Sequence, residues 1–399
     1  MENPHHVTHC LREIVRTAET IDPDLAVNDV LEIFQNNPSL LAIPVADGGR
    51  FCGVISRRLL FYHHLGRPFA LELYGKKPIR LLLEKNCVCM GPEQEVGNAL
   101  AKLLAVDPSL ETDCFAVTDG ERCVGIVSVS DLMMNISASQ AVLLGALERL
   151  SARITEEVRK AGEIQQALLP LPESSFGSIK VSGGITTSSE IGGDFFDYFP
   201  LANDRLGLVV ADVSGHGVQS GMVTTAAKAS LHTLISMGVD TPAELLFGMN
   251  NAILATARQT LLMTCLIAVI NPKEGSLVIA NAGHNFPYLY RAAAGSPEMV
   301  DDASGFPLGF EENCRFREYA TTFADGDALF LYSDGIVECT NGAGEDFGYD
   351  RLEAFLKEHA TLPPDIARKL LLEAAEKFTG SRSFADDVTI LIVSSARPQ

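Results

Sequence analysis

A twelve-residue pattern occurs twice in the first third of the chain. Val45-Ala-Asp-Gly-Gly-Arg-Phe-Cys-Gly-Val-Ile-Ser56 is matched by Val117-Thr-Asp-Gly-Glu-Arg-Cys-Val-Gly-Ile-Val-Ser128, at a constant offset of 72. In each copy two runs rich in β-branched residues flank an Asp-Gly turn, at Asp47-Gly48 and Asp119-Gly120, which predicts strand, tight turn, strand. Amphipathic helices are expected ahead of both, near 24–36 and 93–106; in the first, Val27, Val30, Leu31 and Phe34 fall on one face. Neither copy can cover its own apolar face, so the two are expected to bury each other. The duplication therefore confines residues 1–136 to a two-copy α/β module, with copies at about 17–75 and 78–136.

A chain of 399 residues exceeds one ordinary core, so further domains must follow. Residues 137–170 read as a linker helix: Leu143, Leu147, Leu150 and Ile154 alternate by four, three and four, Val158 and Ala161 continue on a shifted phase, and Pro170 stops the run. Such a seam in a segment joining two domains predicts a parallel coiled coil and hence a homodimer. Residues 171–399 form a third segment. Strands are expected at 178–186, 194–199, 205–213, 262–270, 276–281, 286–291, 327–332 and 387–394, and helices at 218–236, 242–257, 350–358 and 364–378. Short turns such as Asn203-Asp204 imply antiparallel neighbours, and helices arriving in adjacent pairs argue against a doubly wound parallel sheet. The fold class expected is an α/β sandwich of mostly antiparallel sheets flanked by helices.

Charge narrows the function. Fifty-one acidic against 31 basic residues give a formal charge of -20. That surface disfavours nucleic acid, which binds through Lys and Arg, and it disfavours anionic membranes. Nine cysteines are scattered without paired CxxC spacing, and Cys123 and Cys265 sit in apolar runs as small buried hydrophobes. The opening MENPHHVTHC lacks the basic-then-apolar order of a secretory leader, and no apolar run reaches membrane-spanning length. The expectation is a soluble protein of a reducing cytoplasm.

Four acidic motifs stand apart from the charged surface: Glu190-Ile-Gly-Gly-Asp194-Phe-Phe-Asp197, Asp212-Val-Ser-Gly-His-Gly217, Tyr332-Ser-Asp334-Gly and Phe384-Ala-Asp386-Asp387-Val-Thr. Asp212 ends the apolar run 206–211, Asp334 follows 328–332, and Asp386 precedes 388–393. A carboxylate at the margin of a buried strand needs a counter-charge, and several together repel unless a divalent cation joins them. Oxygen donors without a His or Cys set point to Mg²⁺ or Mn²⁺ rather than zinc. Singly, each motif also reads as a turn or a loop end. The glycines let backbone approach a metal or a phosphate.

Two resemblances follow from these residues. The duplicated unit resembles a tandem pair of CBS domains, regulatory modules that often bind adenosine nucleotides between their copies. The family's Ser/Thr followed by Asp three residues on survives as Ser128 and Asp131, while the first copy has Ser56 and Leu59. The resemblance implies an adenosine nucleotide at the Ser128–Asp131 site; the alternative for Asp131 is a cap on a helix starting at Leu132. Residues 163–393 resemble the SpoIIE/RsbU branch of the metal-dependent protein phosphatases (the PPM fold). The match runs through Glu163-Ile-Gln-Gln-Ala-Leu-Leu-Pro170, Gly192-Gly-Asp194, Asp212-Val-Ser-Gly-His-Gly, Asn281-Ala-Gly-His-Asn285, Ser333-Asp-Gly and Asp386-Asp-Val-Thr.

This second resemblance implies hydrolysis of phosphoserine or phosphothreonine on a partner protein, typically a small anti-sigma-factor antagonist. Carried over, it implies that Asp212 bridges two Mn²⁺ or Mg²⁺ ions, Asp334 and Asp386 complete the first, and Asp194 serves the second with the Val213 carbonyl. Glu190, Asp197 and Asp387 are weaker candidates acting through water. His216 is read as steadying the loop after Asp212, with a place near the leaving group as the alternative, and His284 as a packing and hydrogen-bonding residue, with general-acid action as the alternative. Arg382 is the nearest cation for phosphate, with a plain loop role as the alternative, and 303–309 reads as a docking edge or a loop. The competing account is a catalytically silent switch that only binds a partner.

Overall fold

The computed structural model describes residues 10–83, 87–215, 217–257 and 260–395. Contacts divide the chain into two units, one up to Ala152 and one from Arg153.

In the N-terminal unit, α1 (Val27–Asn36) precedes β1 (Ala42–Asp47) and β2 (Arg50–Ser56), and the short α2 (Ala70–Tyr74) follows. The second copy runs β3 (Cys89–Met90), α3 (Val96–Val106), β4 (Cys114–Asp119) and β5 (Arg122–Ser128). Both hairpins are antiparallel, and each carries a bulge at the matching place, Val45/Ala46 and Val117/Thr118. The repeat thus extends to an irregularity of the ladder, with the same offset as the sequence. The copies meet as expected: Ala42 and Val54 of the first pack with Cys114, Ala116 and Ile126 of the second. Cys265 is buried, but Cys123 is only half-buried, because β5 lies at the edge of its three-stranded sheet.

The linker helix differs from expectation at its start. Helix α4 (Val129–Ala167) begins directly after β5 and runs unbroken through 136/137. Its cap is Ser128, whose Oγ accepts the Asp131 N–H at 3.0 Å; Asp131 sits in the first turn, where a carboxylate complements the helix dipole. The predicted apolar stripe is solvent-facing, with Leu143, Leu147, Leu150 and Ile154 all exposed. Among the described residues, no helix is long and apolar enough to cross a membrane.

The C-terminal unit contains β6 (Glu173–Phe176), β7 (Ile179–Thr186), β8 (Phe195–Leu201), β9 (Arg205–Val213), α5 (Val218–Ser236), α6 (Pro242–Ala257), β10 (Met263–Asn271) and β11 (Ser276–Ala282). It continues with β12 (Tyr288–Arg291), β13 (Ser296–Met299), β14 (Glu318–Thr322), β15 (Ala328–Tyr332), α7 (Gly348–His359), α8 (Pro364–Thr379) and β16 (Val388–Ser395). A five-stranded sheet, β14-β11-β10-β9-β8, faces a six-stranded one, β13-β12-β15-β16-β7-β6, and all pairings in both are antiparallel. The three strands not anticipated, β6, β13 and β14, are short edge strands of mixed exposure, which lack the apolar run that betrays an inner strand.

Three cores follow from strand alternation. Leu206, Leu208 and Val210 of β9 point between the sheets, towards Leu329, Leu331, Leu391 and Val393. The intervening Val209, Ala211 and Val213 face α5 and α6 through Leu231, Leu245 and Met249. On the other side Phe330, Tyr332 and Ile390 pack on Leu352, Leu356 and Leu371 of α7 and α8. The unit is therefore helix layer, sheet, sheet, helix layer.

Candidate metal centre

The same alternation carries acidic side chains to one end of the sandwich. Asp212 continues the 206–208–210 parity of β9, and Thr389 that of 391 and 393 in β16. Asp194 precedes Phe196 by two residues at the start of β8, and β8 and β9 pair Phe195 with Ala211. The Thr389 hydroxyl donates to Asp194 Oδ2 at 2.5 Å, a contact across the two sheets between residues 195 apart. Ser333 extends β15 and is tied to the start of β16: its N–H donates to the Thr389 carbonyl (3.0 Å), and its Oγ donates to the Asp387 carbonyl (3.1 Å) and accepts the Thr389 N–H (2.9 Å). Asp334 then opens a short 3₁₀ turn.

Electrostatics join the four predicted carboxylates. Burial, then Asp212, push Asp194 well above the ordinary carboxylate range. Asp212 is raised to about 6 by burial and then by Asp334, with Asp194 close enough to offset part of the rise. Asp334 is raised by burial and then by Asp386. Among the described residues, neither lysine nor arginine relieves any of these three. Burial and the neighbouring carboxylates thus disfavour ionisation at each of the three.

Does this set suit a divalent cation? Among the described residues, no group of three or more His, Cys, Asp or Glu side chains stands as a ready-made metal cage. The oxygens nonetheless converge where a side chain is missing. A Cβ on Gly193 would lie 2.8 Å from the Val213 carbonyl, 3.0 Å from that of Gly215 and 3.6 Å from Asp212 Oδ1. Glycine at 193 leaves open a spot ringed by hard oxygens, the donor type that Mg²⁺ and Mn²⁺ prefer. The residues fit.

The weaker candidates separate from this group. Asp387 accepts from the backbone N–H of Ser188 (2.7 Å) and Gly193 (2.7 Å) and from the Ser188 hydroxyl (3.0 Å), so it holds the 188–194 loop. Asp197 pairs with Lys228 (2.9 Å) and His232 (2.8 Å) of α5. Glu190 is exposed. His284 is buried; its Nδ1 shares a 2.8 Å bond with Thr264 Oγ1, and burial lowers its pKa to about 4, so it is neutral at pH 7 and fits packing. His216 lies outside the described residues. Arg382 is exposed. In 303–309 Leu308 pairs with Met263 while Phe306 is exposed and stacks on Phe310.

Sequence reasoning did not assign Thr389, Thr224 or Gln165. Thr224 donates to the Gly193 carbonyl at 2.7 Å, and Gln165 bonds Gly192 twice. Thr389 and Gln165 lie inside the motifs quoted above, but their partners are 195 and 27 residues away.

In the N-terminal unit, Ser128 and Asp131 line a cleft of about 510 Å³ with Arg16, Asn37 and Ile43. Arg16 Nη2 meets both Asp131 oxygens, at 2.9 and 2.8 Å. The matching cleft of about 390 Å³ carries Ser56, Leu59 and Arg58.

Residues 202–395 match the model of Stage II sporulation protein E (SpoIIE), and residues 11–64 match the CBS domain. Phosphoserine phosphatase RsbU of Bacillus subtilis (strain 168) is 22% identical over 247 residues, covering 62% of this chain and 72% of that protein. Phosphoserine phosphatase RsbP of the same organism is 24% identical over 240 residues, covering 59% of this chain and 57% of RsbP. Among solved structures, the SiaA-PP2C domain of Pseudomonas aeruginosa superimposes with a TM-score of 0.53 at 23% identity, covering 61% of this chain and 97% of that one. The C-terminal unit thus has the SpoIIE-type fold of the PPM phosphatases, and a CBS domain precedes it.

Proposed function

We propose that the C-terminal unit is a Mn²⁺- or Mg²⁺-dependent phosphatase that hydrolyses phosphoserine or phosphothreonine on a partner protein. The observation that carries this reading is geometric: Asp194, tied across the sheets to Thr389, lies beside the open spot at Gly193 that the Val213 and Gly215 carbonyls and Asp212 Oδ1 surround, and neighbouring carboxylates raise Asp194, Asp212 and Asp334. Structural carboxylates are paired; these are left to be satisfied by something else. The similar proteins RsbU and RsbP are named phosphoserine phosphatases, which supports the substrate class.

In this reading Asp212, Asp334 and Asp386 would hold one cation, and Asp194, Asp212 and the Val213 carbonyl would hold a second. When bound, the pair supplies an acidified water and neutralises phosphoryl charge. The chain's own part is positioning: Thr389 fixes one Asp194 oxygen, Asp387 fixes the backbone around it, and a bound cation would supply the charge that favours an ionised Asp194. Purified protein should hydrolyse a phosphoserine protein only with Mn²⁺ or Mg²⁺ present, and Asp212→Asn should abolish the reaction. Metal-independent hydrolysis, or full activity in Asp212→Asn, would sink the assignment.

The substrate expected from the family resemblance is a small anti-sigma-factor antagonist in the cytoplasm. The N-terminal unit is read as the regulator, with an adenosine nucleotide in the Ser128–Asp131 cleft taking the carboxylate that Arg16 now holds. The solvent-facing leucines of α4 support a homodimer through that helix. Leu147→Glu with Leu150→Glu should convert the dimer to monomer by light scattering.

A further inference from the structure

The Gly192-Gly193-Asp194 turn is gripped from the helix side by a residue the proposed chemistry does not use. Gln165, in the last turns of α4, donates from Nε2 to the Gly192 carbonyl (2.8 Å) and accepts the Gly192 N–H at Oε1 (3.0 Å). One side-chain amide thus satisfies both backbone groups of one residue, as a neighbouring strand would. Around this clamp the turn touches backbone on both sides. A Cβ on Gly162 would collide with the Glu190 carbonyl, and one on Gly221 of α5 would collide with Ile191. From the sheet side Asp387 accepts the Gly193 N–H, and from α5 Thr224 donates to the Gly193 carbonyl.

A cavity of about 20 Å³, room for one water, lies where Gln165, Asp194, Thr224 and Lys228 meet. Of the groups that hold residues 192–194, Gln165 is the one carried by α4, the helix whose first turn holds Asp131.

We propose that Gln165 is a positioning residue for Asp194, whose two-pronged bond to Gly192 sets the cation affinity of the site. The inference rests on the phosphatase reading for its metal. Full-length Gln165→Leu, which loses both arms, is compared with Gln165→Glu, which keeps the acceptor arm but turns an oxygen towards the Gly192 carbonyl. Three quantities are measured: Mn²⁺ affinity by calorimetry, amide exchange at Gly192, and the Mn²⁺ dependence of phosphoserine hydrolysis.

The expected result is faster Gly192 exchange, Mn²⁺ affinity lowered about 10-fold or more, as for other partners that orient metal ligands, and a kcat at saturating Mn²⁺ reduced by less than about threefold. A merely structural glutamine would lower kcat and stability without moving the metal dependence. Mn²⁺ affinity within about twofold of wild type in both variants overturns the proposal. If Gln165→Leu does not fold, Gln165→Glu carries the comparison alone. Wild-type protein that binds Mn²⁺ but hydrolyses no phosphoprotein overturns the phosphatase reading while the affinity comparison still decides the clamp; wild-type protein that binds no Mn²⁺ overturns both.

Discussion

Asp194 and Asp197 lie three residues apart and are equally buried, each 4% exposed, yet their surroundings are opposite. Asp197 points at α5, where Lys228 and His232 pair with it. Asp194 points between the sheets, where its neighbours are Asp212, Asp387 and two hydroxyls. The alternation of a single strand separates an ordinary buried ion pair from a site that repels itself. The contrast teaches that burial and charge do not make an acidic residue a ligand candidate; the missing counter-charge does.

The contrast is easiest to break by substitution. Asp194→Asn should lower Mn²⁺-dependent hydrolysis by about 10³-fold or more, and it should raise the melting temperature of metal-free protein, because Asn is neutral without the cost of suppressing a carboxyl's ionisation. Asp197→Asn should do the reverse. It strands buried Lys228, costing about 3–5 kcal/mol by denaturant titration, while folded molecules keep their metal dependence. If both variants lost stability alike, the distinction would fail.

pH offers a second, smaller test. Asp194 and Asp212 have folded-state pKa values raised above the unfolded ones. Their protonated forms therefore favour the fold below the unfolded value near 4, and that contribution is lost as pH rises through the folded value, about 6 for Asp212. Metal-free protein should melt lower at pH 7.5 than at pH 5, by about 5 °C, and saturating Mn²⁺ should remove the trend. A flat profile without metal would contradict the raised pKa values of Asp194 and Asp212.

Finer adjustments follow. Thr389→Val deletes the donor to Asp194 Oδ2 while keeping the shape, and should weaken Mn²⁺ binding about tenfold by calorimetry. The smallest effect belongs to the other unit. Asp131, like Asp197, is already paired, here with Arg16. Millimolar AMP, ADP or ATP should raise the melting temperature of the wild type by about 1–3 °C, and Asp131→Asn should erase the shift. Equal shifts in both proteins would place the nucleotide elsewhere.

Much of this protein was readable along the chain because its signals are local. The 72-residue repeat fixed the N-terminal module, and apolar runs ending in Asp212 and Asp334 located the strands and the acids at their margins. Runs of that kind exist only where both faces of a strand are buried, which is why edge strands such as β13 and β14 escaped notice. Continuity of α4 through residue 136 escaped for a related reason: helical periodicity does not mark where one helix should be counted as two.

What the polypeptide pattern could not decide was pairing across the sandwich. Nothing in Asp194 and Asp197 taken alone says that one meets Lys228 and the other Thr389; that choice is made by which face of β8 turns to the helices and which to the opposite sheet. The same holds for Gln165, whose partner lies across a turn in another element. Residue type and local spacing supply the chemistry available, whereas satisfaction of a buried charge depends on neighbours that only the closed fold brings within a few ångströms.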